Sequence, residues 1–340
     1  GNYVMVSQIK KPFSYLVTYG RFPSQTDVFN KQGKLVLNLL DTPLVEELPK
    51  GRMSTTTGKR SYSWRADKPS TLIYVKALDK GDPAISTEYR DEVFEIDAPF
   101  NGEGKSLVKT TNRFSGIDWG TESTAVVYDY WWDTRNRKAY VFNPSSPNSK
   151  PKTLYDRNYQ DIYSDPGSFL KTRNTFNKSV LMLHKGSAFL IGAGFSEEGQ
   201  LPFIDKVNIT TLNKSRVYQS KYTDKVEAIQ DYNPATNELI VRIESPTEYP
   251  NYYSKKTNGK RLAKLTDFES PFEELQNVKK EVITYKRDDG LELSGILYLP
   301  VNYDEEKKEK APMILWAYPR EFKDRNSASQ SNKNANRFTS

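Results

Sequence analysis

A short alternating strand, a tight turn and a second alternating strand recur along most of this sequence. Each such strand can bury only one face, so successive units must stack to hide the rest. The first unit contains Tyr3-Val4-Met5-Val6, Tyr15-Leu16-Val17-Thr18-Tyr19, Val28-Phe29 and, after the turn Lys31-Gln32-Gly33, Leu35-Val36-Leu37. The second has Tyr62-Ser63-Trp64-Arg65, a turn at Ala66-Asp67-Lys68-Pro69, Thr71-Leu72-Ile73-Tyr74-Val75 and Glu92-Val93-Phe94-Glu95-Ile96. The third runs from Ile117-Asp118-Trp119 through Ala125-Val126-Val127-Tyr128-Asp129-Tyr130-Trp131-Trp132 to Lys138-Ala139-Tyr140-Val141-Phe142, closing near Leu154-Tyr155. In the fourth, Val180-Leu181-Met182-Leu183 turns at His184-Lys185-Gly186 into Ala188-Phe189-Leu190-Ile191-Gly192, followed by Lys206-Val207-Asn208-Ile209. The fifth holds Ala228-Ile229-Gln230-Asp231-Tyr232, Leu239-Ile240-Val241-Arg242-Ile243, Tyr252-Tyr253-Ser254 and Arg261-Leu262-Ala263-Lys264-Leu265. The spacing, roughly 45 to 65 residues, is that of propeller blades of four strands. The expectation is an all-β chain of about five β-propeller blades forming an incomplete ring. A β-sandwich with long loops is the alternative.

Composition agrees with strands. Of 340 residues, 36% are hydrophobic but 13% are aromatic, with 22 Tyr, and a disordered chain would be poor in aromatics. The absence of Cys excludes disulfides, thiolate zinc sites and a cysteine nucleophile. A single histidine, His184, excludes any site that needs two imidazoles. No apolar run is long enough for a membrane-spanning helix. Gly1-Asn2-Tyr3-Val4-Met5-Val6 has none of the marks of a signal peptide and reads as the middle of a strand, which points to a fragment. The net charge of +7 is spread among acids, as in residues 304–310, and does not form the clustered basic face that nucleic acid requires.

The repeat breaks near Asn277. Residues 281–300 form a hairpin turned at Asp289-Gly290, a strong turn signal. A charged loop leads to Ala311-Pro312-Met313-Ile314-Leu315-Trp316-Ala317-Tyr318-Pro319, nearly all apolar, as in a strand buried on both faces. From Lys323 onward the chain is rich in Asn, Ser and charge without periodicity, and reads as loop. The expected domains are therefore blades over 1–276 and a second module over 277–340.

These segments resemble a known family. The hairpin Ile283-Thr284-Tyr285-Lys286 through Gly290-Leu291-Glu292-Leu293 to Leu297-Tyr298-Leu299-Pro300, followed by an apolar strand, is similar to the opening of the α/β-hydrolase domain in the prolyl oligopeptidase family of serine peptidases. Further segments resemble the glutamyl endopeptidase branch of that family. They are Gly20-Arg21-Phe22-Pro23, Trp64-Arg65-Ala66-Asp67-Lys68-Pro69-Ser70-Thr71-Leu72, Tyr163-Ser164-Asp165-Pro166-Gly167-Ser168, Leu201-Pro202-Phe203 and Ala317-Tyr318-Pro319-Arg320-Glu321-Phe322-Lys323. The resemblance implies a propeller that gates peptide or protein substrates to a Ser-Asp-His site, with the rest of the hydrolase domain as its partner. No cofactor and no metal are expected, since the sequence has no phosphate-binding Gly loop, dinucleotide fingerprint or acidic calcium loop. A periplasmic or secreted location is the expectation from bacterial relatives.

The triad itself is not in this sequence. A nucleophile elbow reads G-x-S-x-G after a buried strand, and the nearest approach, Gly194-Phe195-Ser196-Glu197-Glu198-Gly199, is one residue too long and lies within a blade. His184 sits in a turn upstream of any hydrolase strand. The chain alone is therefore expected to be inactive. The resemblance places Tyr318 as a candidate oxyanion donor, because a phenol aimed at developing negative charge stabilises it. The alternative is an aromatic packing at a strand end. Arg135, Arg137 and Arg320 are candidates to pair with a substrate carboxylate, since the guanidinium fork matches it bidentately. For each, a solvated surface arginine is the alternative. Arg320 also departs from the Gly usual in plant members. Competing readings are a stand-alone propeller scaffold without activity and a nucleic-acid binder.

Overall fold

The computed structural model describes residues 1–338 apart from 261, 276, 277, 305 and 308. Five antiparallel meanders follow one another along the chain. The first has three strands, Tyr3–Ile9, Ser24–Asn30 and Leu35–Thr42. The second has four, Arg60–Trp64, Thr71–Ala77, Asp91–Asp97 and Lys105–Thr110. The third has Arg113–Thr121, Thr124–Trp131, Asn136–Phe142 and Lys152–Asn158. Ser168–Phe169, Ser187–Gly192, Phe203–Asn208 and Lys214–Gln219 make the fourth, and Val226–Asn233, Glu238–Glu244, Asn251–Lys256 and Ala263–Lys264 the fifth. Each is the up-and-down sheet of a propeller blade. The chain is all-β in the sense expected, with one short α-helix, Arg325–Ser329, among the described residues. No helix among them is long and apolar enough to cross a membrane.

The chain divides into two compact units, residues 1–156 with 171–181, and residues 157–170 with 182–340. This division does not fall at the 276/277 boundary expected from sequence, which lies on residues outside those described. Within the first unit, Val28 and Leu39 of the first blade pack with Leu72, Ile96 and Phe100 of the second. Ile73, Val75 and Val93 on the other face of the second blade meet Trp119, Ala125, Val127 and Phe142 of the third. Thr71–Ala77 is consequently buried over its first five residues without alternation, as a strand covered on both faces must be. Cross-strand pairing adds to this: Tyr74 lies opposite Phe94, and their rings stack 5.2 Å apart. In the second unit, Phe189, Ile204 and Tyr218 of the fourth blade share a core with Tyr232, Leu239 and Val241 of the fifth.

Several sequence expectations are corrected. Tyr15 to Tyr19 forms no strand; the partner of Tyr3–Ile9 is Ser24–Asn30, a polar segment whose register is supported by Ser7 Oγ and Thr26 Oγ1 at 2.8 Å and by Lys10 donating to Gln25 at 2.9 Å. Ser179–Leu181 pairs with Lys171–Arg173 in a small hairpin of its own, not with the strand after His184. The Asp289-Gly290 hairpin forms as expected, Lys280–Lys286 against Glu292–Tyr298. Gly290 takes a positive φ of 77° at its turn, and Arg287 N donates to Leu291 O at 2.9 Å. Residues 311–319, expected as a buried strand, form no strand and are exposed. An apolar sequence specifies a buried strand only if neighbours exist on both sides, and none flanks it among the described residues.

Arg65 shows how charge is admitted to the interior. Its side chain is fully buried, bidentate to Asp67 (Nε–Oδ1 3.0 Å, Nη2–Oδ2 2.6 Å), paired with Glu95, and stacked 4.3 Å over Trp119. Burial alone would lower its pKa; the two carboxylates outweigh that and raise it. Replacing Arg65 by Met strips Asp67 of its guanidinium and leaves Glu95 only the longer contact to Lys68 at 3.8 Å, so urea unfolding of Arg65→Met should report a loss of about 3–5 kcal/mol. A loss below about 1 kcal/mol would show the acids to be solvated instead.

Candidate functional site

In the first unit, Thr124–Trp131 turns into Asn136–Phe142 through a loop that carries two of the candidate arginines. Arg135 sits there at φ +56°, uncommon for a side-chain-bearing residue. Its backbone N donates to Trp132 O at 3.2 Å. Its guanidinium donates to the same carbonyl and lies 3.8 Å over the Trp132 ring. Arg52 stacks on that indole too, at 4.2 Å. Arg135 is only 3% exposed, and its guanidinium packs against its own turn. Arg137, two residues on, points outward, 5.4 Å over Tyr128.

Close to this hairpin end lies an ionic knot that sequence reasoning missed. Asp79 accepts from Arg90 at 2.8 Å and Arg113 at 2.8 Å, and Asp91 accepts from Arg60 at 2.5 Å and Arg113 at 3.2 Å. Arg90 also covers the Trp131 ring at 4.4 Å. Burial alone would raise the Asp79 carboxyl, but the hydrogen bonds from Arg113 and Arg90 outweigh it and hold the pKa below its usual value. The Trp131-Trp132 pair was visible as strand aromatics; that arginines from distant segments converge on it carries no local signal.

In the second unit, the segment with Tyr318 and Arg320 is open to solvent. Met313, Ile314, Leu315, Trp316 and Tyr318 are 75%, 96%, 78%, 89% and 83% exposed, and Arg320 is exposed beside them. The two features weighed as triad members have structural roles. Phe195–Ser196 pairs with Gly199–Gln200 as a miniature hairpin. Gly194 is required there by its φ of +66° and by close packing, since a Cβ would come within 1.9 Å of Leu201 O. His184 exchanges backbone hydrogen bonds with Ser187 at 2.9 and 3.1 Å across a turn. A cavity of about 400 Å³ beside the first blade, lined by Leu40, Val45, Leu48, Pro49, Thr56 and Lys59 among others, contains none of the candidates. Among the described residues, no group of three or more His, Cys, Asp or Glu side chains could hold a metal ion.

No protein-family model matches the chain. It is 36% identical over 353 residues to a rice protein (Oryza sativa subsp. japonica) named probable glutamyl endopeptidase, chloroplastic, covering 99% of this chain and 38% of that protein. The protein of the same name from Arabidopsis thaliana is 35% identical over 353 residues, covering 99% of this chain and 37% of its own length. By sequence, this chain is similar to part of each of these probable glutamyl endopeptidases. It spans a little over a third of the length of these glutamyl endopeptidase relatives. Among solved structures, oligopeptidase B from Trypanosoma brucei aligns with 89% of this chain and 38% of its own, at 12% identity and a TM-score of 0.47.

Two outcomes follow from the geometry around Ser196 and Asp79. Ser196→Ala should leave the unfolding midpoint within the range of ordinary surface changes, about 0.5 kcal/mol, while Gly194→Ala destabilises clearly; equal effects would contradict the hairpin role. Because the folded pKa of Asp79 lies below its unfolded value of about 3.9, its stabilisation is complete above that pH and is lost as pH falls through the folded value. Asp79→Asn should therefore flatten the acid limb of the stability–pH curve, measured by urea unfolding between about pH 5 and 2.

Proposed function

We propose that this chain is the non-catalytic blade portion, residues 1–276, together with the opening segment, 277–340, of a serine-type endopeptidase that cleaves after glutamate. The blades limit which peptides reach a Ser-Asp-His site supplied by further sequence of the same protein. The observation that carries this reading is the 36% identity to a probable glutamyl endopeptidase maintained over 99% of the chain. It is supported by the hairpin Lys280–Lys286/Glu292–Tyr298 standing outside the blade meanders. Ser196 and the lone His184, bound into separate turns, are unsuited to nucleophile and base.

Within this reading Tyr318 donates its hydroxyl to the oxyanion, and its exposure leaves the hydroxyl free to meet a substrate. Arg320 and Arg137, both accessible, remain the arginines able to receive a glutamate carboxylate, whereas Arg135 acts only by holding Trp132. The 340-residue chain should show no hydrolysis of peptides carrying Glu, Pro or Ala before the scissile bond. The full-length protein should cleave the Glu peptide, and Tyr318→Phe should lower its kcat about 100- to 1,000-fold. An unchanged rate in that variant removes the oxyanion role. A folded but inactive full-length protein would favour a binding scaffold.

A further inference from the structure

The segment from Lys323 onward, read from sequence as loop, is fastened within the second unit together with Glu321. Two glutamine side chains do most of this, in reciprocal fashion. Gln160, in the loop between the third and fourth blades, donates through Nε2 to Glu321 O at 2.6 Å and accepts from Lys323 N at 3.3 Å. Gln330, from the segment itself, accepts from Ile162 N at 2.8 Å and Tyr163 N at 3.2 Å, and donates to Asp161 Oδ1 at 2.7 Å. Each amide thus presents donor and acceptor to partners across the junction, as a neighbouring strand would.

Further bonds lie alongside. Asp324 caps the short helix at Ser327 N, 2.7 Å, while its other oxygen accepts from Asn158 at 2.6 Å. Ser331 N donates to the Tyr163 hydroxyl at 3.0 Å. Downstream, Asn334 donates to Gln200 and Asn336 to Thr223 O, at 3.1 and 2.7 Å. Phe338 is buried against Tyr249, its N donating to Glu244 at 3.1 Å. The same segment also holds the hairpin: Ser331 Oγ meets Ser294 Oγ at 2.8 Å, and Arg325 donates to Asp289 O at 3.0 Å.

We propose that residues 321–338 are a latch that fixes the Tyr318 segment to the blade loop 158–163, with Gln160 and Gln330 as positioning residues for the peptidase reaction. The proposal rests on the function proposed above for its catalytic consequence, though not for the latch itself. The charged groups facing the junction are Arg157 and Asp161 from the blade loop and Glu321, Lys323 and Asp324 from the latch, with Lys323 paired to Glu321 at 2.6 Å. A carboxylate in place of the Gln330 amide would therefore face Asp161 directly, and two such acids can coexist only by sharing a proton.

Hydrogen exchange on the 340-residue chain tests the latch. Gln330→Ala should raise exchange of the Ile162 and Tyr163 amides about 10- to 100-fold at every pH, the scale of a few hydrogen bonds. Gln330→Glu should do so at pH 8 but return toward wild type by about pH 5, after correction for intrinsic exchange, as the acid pair takes up its proton. Unchanged exchange in both variants overturns the latch. In the full-length protein, Gln330→Glu should lower kcat about 10-fold at pH 8 with KM within about twofold, recovering at acidic pH relative to wild type. Faster exchange with an unaltered kcat overturns the positioning role. A wild-type full-length protein without peptidase activity sinks the proposed function instead, and leaves the exchange result to decide the latch.

Discussion

The constraint on which this structure depends is that, within each unit, consecutive meanders share their apolar faces. A sheet covered on one side alternates; a sheet covered on both cannot, and its central strand must become apolar throughout or neutralise what is not. Thr71–Ala77 shows the first solution and Arg65 the second. The same holds in the second unit, where Glu227 is fully buried but paired with Lys255 and bonded to the Tyr218 hydroxyl at 2.6 Å. Such pairs add little net stability over an apolar pair of the same shape, yet breaking one is costly. Each also touches the neighbouring blade, Arg65 through the Trp119 ring and Glu227 through the Tyr218 hydroxyl.

This explains which parts of the fold were legible in the sequence. The centres of the second, third and fifth blades were read well, because alternation, β-branched residues and turn signals agree there. The Asp289-Gly290 hairpin was legible because its turn needs a positive φ that Gly supplies. Tyr15 to Tyr19 misled because it has the composition of a strand, while the real partner, Ser24–Asn30, is polar and is chosen by cross-strand bonds to Tyr3–Ile9 that composition does not encode. Outer strands such as Lys105–Thr110 and Lys214–Gln219 were missed for a related reason: edge strands are charged and carry weak patterns.

Of the candidate site, the sequence offered residue types but not their neighbours. Arg135 looked like a surface cation in a turn, yet its guanidinium lies on Trp132 because a ring one residue past the strand gives it a face to cover. The ionic knot of Asp79 and Asp91 joins residues dozens of positions apart. The latch was invisible because side-chain amides bonding to backbone leave no periodic trace; Asn, Gln and Ser signal loop whether or not the loop is held.

The net charge of +7 is carried by residues outside the buried pairs, in which Arg60, Arg65, Arg90 and Arg113 are balanced by Asp67, Asp79, Asp91 and Glu95. A surface field needs cations facing water, whereas Arg65, Arg113 and Arg135 are buried, and Arg60 and Arg90 are nearly so. Arg65 and the knot formed by Arg60, Arg90 and Arg113 spend their charge on internal carboxylates, and Arg135 on an indole face. Their guanidiniums tie strands together at short range, where the local dielectric makes a paired charge strong and an unpaired one intolerable. Affinity for a polyanion depends on cations that can release counterions, and buried ones release none. What remains accessible is a scatter of lysines and of arginines such as Arg52, Arg137, Arg173, Arg216 and Arg320.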